Sequence, residues 1–195
     1  MDYRIEQWVN GPAGHHALLD TFMRDAANWG EWLFAGIVIV WFAYAWLAGG
    51  GADRRGVLAA LLAAATALVV NQVISHIWAR PRPFVAHPDT VHVLLGYSRD
   101  ASFPSDHAAA GFAIATTLLL VHRRWGLAAI ATAVLMSYAR VFVGLHYPGD
   151  VIAGAVIGVA VGWGLMRWGR RPLTAAQEWL DRTAIGLHLP LPRTP

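Results

Sequence analysis

The chain contains neither cysteine nor lysine. The first absence excludes disulfides, thiolate nucleophiles and thiolate-ligated metals. The second leaves all 15 basic side chains to arginine. Charge of either sign is scarce, at 14% of the 195 residues, where a soluble domain carries about 25%. Hydrophobic residues reach 56%. Runs of roughly 20 apolar residues cross a bilayer core, and a chain of this length holds five or six of them, leaving no room for a separate soluble domain. A net charge of +3 is compatible with nucleic acid. The arginines, however, sit in small groups beside apolar runs, which is the pattern of membrane topology and not of a phosphate-tracking stripe.

No cleavable signal sequence is recognisable, because Asp2 and Glu6 interrupt the amino terminus and the first long apolar run starts after Glu31. Residues 1–28 place Ile5, Trp8, Val9, Leu18, Leu19, Phe22 and Met23 at helical spacings among charges, which predicts an amphipathic helix lying in the interface. Five spans follow, at about 32–47, 57–78, 105–121, 125–143 and 150–168. The second ends on Asn71, Gln72, Ser75 and His76, polar groups that belong against protein or water. The fifth carries Gly154, Gly158 and Gly162, a surface for close helix packing. Residues 172–195, with an amphipathic stretch around Trp179 and Leu180, read as an interfacial or loose tail. The whole chain reads as one all-α membrane-embedded domain.

With five spans the connections alternate sides. One face then carries Arg54, Arg55, Arg123, Arg124, Arg167, Arg170, Arg171, Arg182 and Arg193, and the other only Arg4, Arg24 and Arg99 as ordinary topology charges. The arginine-rich face is expected in the cytoplasm. The long 79–104 connection then faces outward.

Three segments end on that outward face: 75–84, 104–107 and 140–150. They bring together Arg80, Arg82, Arg140, Ser105, Asp106, His107, His146 and Asp150. A guanidinium offers a fixed fork of donors to a phosphate and keeps its charge when partly desolvated. Pro104-Ser105-Asp106-His107 opens a helix, whose free amides favour an anion. His146 and Asp150 supply a base with a candidate orienting carboxylate.

These residues resemble the motifs of the type 2 phosphatidic acid phosphatase superfamily, which shares its site with vanadium haloperoxidases and glucose 6-phosphatase. Arg82-Pro83 matches the end of the first motif, whose lysine position falls here on Ser75. Pro104-Ser105-Asp106-His107 stands for Pro-Ser-Gly-His. Arg140, His146 and Asp150 keep the spacing of the third motif. The Pro-Ser-Asp-His and Arg-Pro-Arg-Pro-Phe variants look most like the bacterial undecaprenyl diphosphate phosphatase branch, linked to bacitracin resistance and peptidoglycan synthesis.

The resemblance implies a helical membrane phosphatase acting on a lipid phosphate or diphosphate without a cofactor, metal or nucleic acid. It implies His146 as nucleophile, Asp150 holding its other ring nitrogen and His107 as acid for the leaving oxygen. Arg82, Arg140, Ser105 and the amides of Asp106 and His107 would bind the phosphate. Arg80, with Arg99 as the weaker candidate, would replace the lysine, and the Asp106 side chain would turn away to pair with an arginine.

Two other classes stay open on the residues alone. A metal hydrolase would use His107, His146, Asp106 and Asp150 as ligands, although no His-Glu-x-x-His pair exists and three arginines would repel the cation. A small anion or lipid transporter would also place arginines within the membrane.

Overall fold

The computed structural model describes residues 1–96 and 100–186, and every regular element among them is a helix. In chain order these are α1 (Asp2–Asn10), α2 (Ala17–Leu47), α3 (Gly51–Ile77), α4 (Pro83–Ala86), α5 (Asp106–Val121), α6 (Arg123–Phe142), α7 (Pro148–Trp168) and α8 (Arg170–Gly186). Helices α2, α3, α6 and α7 are long and apolar enough to cross a bilayer. The third expected span, α5, has 16 residues, about 24 Å of helix against a hydrocarbon core of roughly 30 Å.

Large apolar side chains point outward and small ones inward, as expected when lipid is the solvent. Ile39, Val40, Val69, Ile152 and Val156 are exposed, whereas Ala59, Ala60, Ala63, Ala67, Ala109 and Ala113 are fully buried. The chain is a multi-pass membrane protein. Short α5 sits at its centre, packed against α3, α6 and α7.

Its contact with α7 is the most extensive between helices among the described residues, for a simple reason of size. A Cβ at Gly154 would lie 2.4 Å from the Ser105 carbonyl oxygen, and one at Gly158 would lie 2.3 Å from that of Ala109. Only glycine lets the two backbones meet, and the contact sets the start of α7 beside the start of α5. The amide of Ser105 donates to the carbonyl of Asp150 at 3.0 Å.

The amino-terminal segment departs from the sequence expectation. Residues 1–28 do not form one interfacial helix: α1 stops at Asn10, and Ala17 begins a helix that runs unbroken into the first span. The charges at Asp20, Arg24 and Asp25 lie on a continuous helix because none of them breaks it. Helix α1 instead lies on protein, against α6 and α7. Asn10 is buried, donates to the carbonyls of His92 and Phe142 at 2.8 and 2.7 Å, and accepts from the His92 amide at 2.8 Å. Glu6 beside it is fully buried, neither carboxyl oxygen has a hydrogen-bond partner among the described residues, and burial pushes its pKa up to about 7. The segment after the fifth span is helical to Gly186. It docks on α3 through Arg55–Gln177 at 3.0 Å and Arg54–Asp181 at 3.2 Å.

Candidate active site

A polar cavity of about 140 Å³ opens where the ends of α3 and α6 meet the start of α5. It is lined by Gln72, Ser75, Arg82, Asp100, Ala101, Pro104, Asp106, His107, Arg140 and His146. Five of the eight expected site residues therefore converge on one space, and a sixth, Asp150, lies directly behind His146.

His146 is reached through Gly144, which follows α6 with φ +80°. That conformation suits glycine, and a Cβ there would also strike Val91 at 2.7 Å. The turn carries His146 back beneath Arg140 and buries it to 2% exposure. Its Nδ1–H donates to the Ser102 carbonyl at 2.9 Å. A carbonyl only accepts, so the ring proton resides on Nδ1 and the Nε2 lone pair is left on the cavity side, 3.3 Å from the Arg82 Nη1 donor. Burial, reinforced by the charges of Arg140 and Arg82, pulls the His146 pKa down to about 4. The ring is neutral at neutral pH, the form that can attack an electrophile.

Asp150 was expected to accept the Nδ1 proton. The structure places its Oδ2 3.7 Å from Nδ1, beyond hydrogen-bond range. The position in α7 explains this. Asp150 occupies the third residue of the helix, where its side chain turns back to accept from the Tyr147 amide at 2.9 Å. The same oxygen accepts a very short bond from the Ser102 hydroxyl. Ser102 thus joins the two groups, its carbonyl on His146 and its hydroxyl on Asp150. It lies in a connection without periodicity, and only its nearness to the Pro104-Ser105 motif marked it in sequence.

Arg80 does not line the cavity. Its Nη1 pairs with Asp150 Oδ1 at 2.8 Å and Asp2 Oδ2 at 2.7 Å, and its guanidinium lies over the Tyr147 ring at 3.7 Å. It compensates a buried carboxylate and does not fill the lysine position, where Ser75 lines the cavity and donates to the Gln72 carbonyl. Arg99 lies outside the described residues. Ser105 is also turned away: it caps α5, accepting from the Ala108 amide at 3.5 Å, as serine commonly does at a helix start. Asp106 lines the cavity, and its partners are amides and not the expected arginine: Asn71 and Gln72 donate to it at 3.0 and 3.2 Å.

Two guanidiniums remain for an anion. Arg82 is held by Asp100 at 2.9 Å and by the Leu145 carbonyl at 3.1 Å. Arg140 is 9% exposed, and its buried Nε has no hydrogen-bond partner among the described residues. His107 contributes a ring at the α2 side, where Nε2 meets Glu31 Oε2 at 3.3 Å. The arrangement offers a neutral nucleophile, two cations and a second imidazole around one small volume. The four side chains of the metal reading do not form a ligand set, although three of them line the cavity. Asp150 and Asp106 are turned to other donors, and no group of three His, Asp or Glu among the described residues is placed to share an ion.

The profile of the PAP2 superfamily matches residues 56–173. The undecaprenyl-diphosphatase BcrC of Bacillus subtilis is 34% identical over 168 residues, covering 86% of this chain and 84% of that protein. The lipid A 4'-phosphatase of Bacteroides thetaiotaomicron is 48% identical over a shorter stretch, 38% of this chain and 35% of that one. Among solved structures, Aquifex aeolicus LpxE superposes with a TM-score of 0.67 at 26% identity, over 86% of this chain and 95% of its own.

Proposed function

Because this chain belongs to the PAP2 superfamily, and is with it a membrane lipid phosphatase, we propose that it hydrolyses undecaprenyl diphosphate to undecaprenyl phosphate and inorganic phosphate. The observation that carries the chemistry is the Nε2 lone pair of buried, neutral His146, aimed into a cavity whose walls hold Arg82 and Arg140. Nε2 forms a bond to the terminal phosphorus while the bond to the bridging oxygen breaks. Arg82, Arg140 and the first amides of α5 take up charge on the equatorial oxygens. His107 gives a proton to the leaving oxygen. Water then attacks the phosphohistidine, His107 takes the water's proton, and phosphate leaves. The positive charge that a divalent ion often supplies comes here from the arginines.

The substrate assignment is supported by the likeness to BcrC along most of the chain. An apolar groove of about 840 Å³ between α2 and α6, starting at Trp32, offers a long hydrocarbon chain a course along the protein. The lipid A phosphatase similarity favours a competing lipid monophosphate. A panel of undecaprenyl diphosphate, lipid A phosphates and phosphatidylglycerol phosphate, assayed in detergent with EDTA present, separates them. We expect kcat/KM for the undecaprenyl substrate to exceed the others by at least about tenfold. A preference for either monophosphate, or loss of activity to the chelator, overturns the assignment.

The site is proposed to face outward across the cytoplasmic membrane, following the arginine asymmetry. A membrane-impermeant thiol reagent reads this directly because the chain has no cysteine of its own. In intact cells a cysteine at Thr90 should label and one at Thr194 should not. The opposite pattern reverses the orientation.

A further inference from the structure

Glu31 belongs to none of the family motifs, yet it touches the site. It lies on α2, and residues 32–47 after it contain no Asp, Glu, Lys or Arg. Its carboxylate stands at the head of an apolar run and is about half exposed, with one oxygen on the His107 side. Its Oε2 is 3.3 Å from His107 Nε2, and its charge also acts on Arg140. The position is fixed by packing. A Cβ on neighbouring Gly30 would lie 2.6 Å from Met136, and Phe34, one turn on, is 3% exposed against Gly111.

The surroundings of His107 define the task. Arg140 from α6 and Arg82 from the connection before α4 both repel a protonated ring, and the His146 ring also faces it. Of the carboxylates that line the cavity, Asp106 is held by Asn71 and Gln72 and Asp100 by Arg82. Glu31 is the carboxylate in contact with the His107 ring.

We propose that Glu31 is the positioning residue of the leaving-group acid, accepting Nε2–H of His107 and so supporting a protonated ring whose other nitrogen, Nδ1, carries the proton for the leaving oxygen. The leaving oxygen takes the proton from Nδ1 as its bond to phosphorus breaks, and the ring returns to its neutral form with Nε2–H still on Glu31. Glu31 itself exchanges no bond with substrate. This rests on His107 being the acid of the reaction proposed above, and it adds a carboxylate from α2, outside the three motifs.

The consequence is a dependence on the leaving group, since a basic alkoxide or phenoxide needs the proton and an acidic leaving oxygen does not. The test uses pure protein in detergent with phenyl phosphate and 4-nitrophenyl phosphate, which differ in that acidity. For Glu31→Gln we expect kcat on phenyl phosphate to fall about tenfold, and on 4-nitrophenyl phosphate by less than about twofold, with KM little changed. The nitrophenyl rate serves as the internal control for folding. His107→Ala should show a larger split of the same kind, and the double variant should lose no more than His107→Ala alone.

Equal losses in Glu31→Gln on both substrates, or full additivity in the double variant, overturn the role of Glu31. Equal losses in His107→Ala overturn instead the acid role of His107, on which the inference rests.

Discussion

Replacing His146 with alanine is expected to abolish turnover, by on the order of 10⁴-fold or more, because it removes the Nε2 lone pair held beside Arg82 in the cavity. With labelled substrate and an alkaline quench, phosphate should be found on His146, in a bond that survives base and is lost in acid. The pH dependence of this step follows from the site. The unperturbed imidazole is half protonated near pH 6.5, but burial and the two guanidiniums lower His146 to about 4. The attacking form therefore persists as the pH falls through 6 and 5 and is lost only on approaching 4. Once the ionisation of the substrate is divided out, phosphoenzyme formation should show no inflection near 6.5. A midpoint there, or near wild-type turnover by His146→Ala, removes the nucleophile assignment and makes His107 the leading candidate.

Asp150→Asn should give the second largest effect, and of a different kind. The nucleophile and its Ser102 contact stay, so turnover should fall by about 10²–10⁴-fold without vanishing. Stability should fall as well. Asp150 is fully buried and is shared by the Arg80 guanidinium, the Ser102 hydroxyl and the Tyr147 amide. Removing one partner of a buried ion pair costs about 3–5 kcal/mol, discounted here because Arg80 is about a quarter exposed and keeps Asp2. The measurement is kcat together with Tm in detergent. A full rate with an unchanged Tm would show that Asp150 supports neither the ring nor the fold.

Three of the five expected stretches were legible to within about two residues, because bilayer crossing imposes a length and an apolar composition that a sequence displays directly, whereas the expected 57–78 began inside a helix that starts at Gly51. The expected 125–143 and 150–168 stretches became Arg123–Phe142 and Pro148–Trp168. The first span was foreshortened. Charges mark where a helix leaves lipid, and they do not mark where it ends, so the helix from Ala17 was cut at Trp32. Motif spacing identified the groups that meet around the cavity.

It could not say what each side chain would choose among nearby partners. Ser105 took the helix amide, Arg80 took Asp150, and Asp106 took two carboxamides. Each choice depends on a rotamer and on a neighbour distant in sequence. Glu31 and Asp2 stayed invisible as site residues for the same reason, and Ser102 was marked by nothing but its nearness to the Pro104-Ser105 motif.

The salt bridge between Arg80 and Asp2 bears on how the protein is handled. Asp2 Oδ2 lies 2.7 Å from Arg80, and its Oδ1 accepts from the Gly149 amide at 2.8 Å, one residue before Asp150. The first turn of the polypeptide is thus a strut under the carboxylate that sits behind the nucleophile. An affinity tag or fluorescent protein fused ahead of Met1 adds its bulk within a few residues of that strut, whereas one joined after α8 is attached beyond a helix that docks on α3. Kinetic constants from differently tagged preparations are comparable only after the amino-terminal fusion has been cleaved.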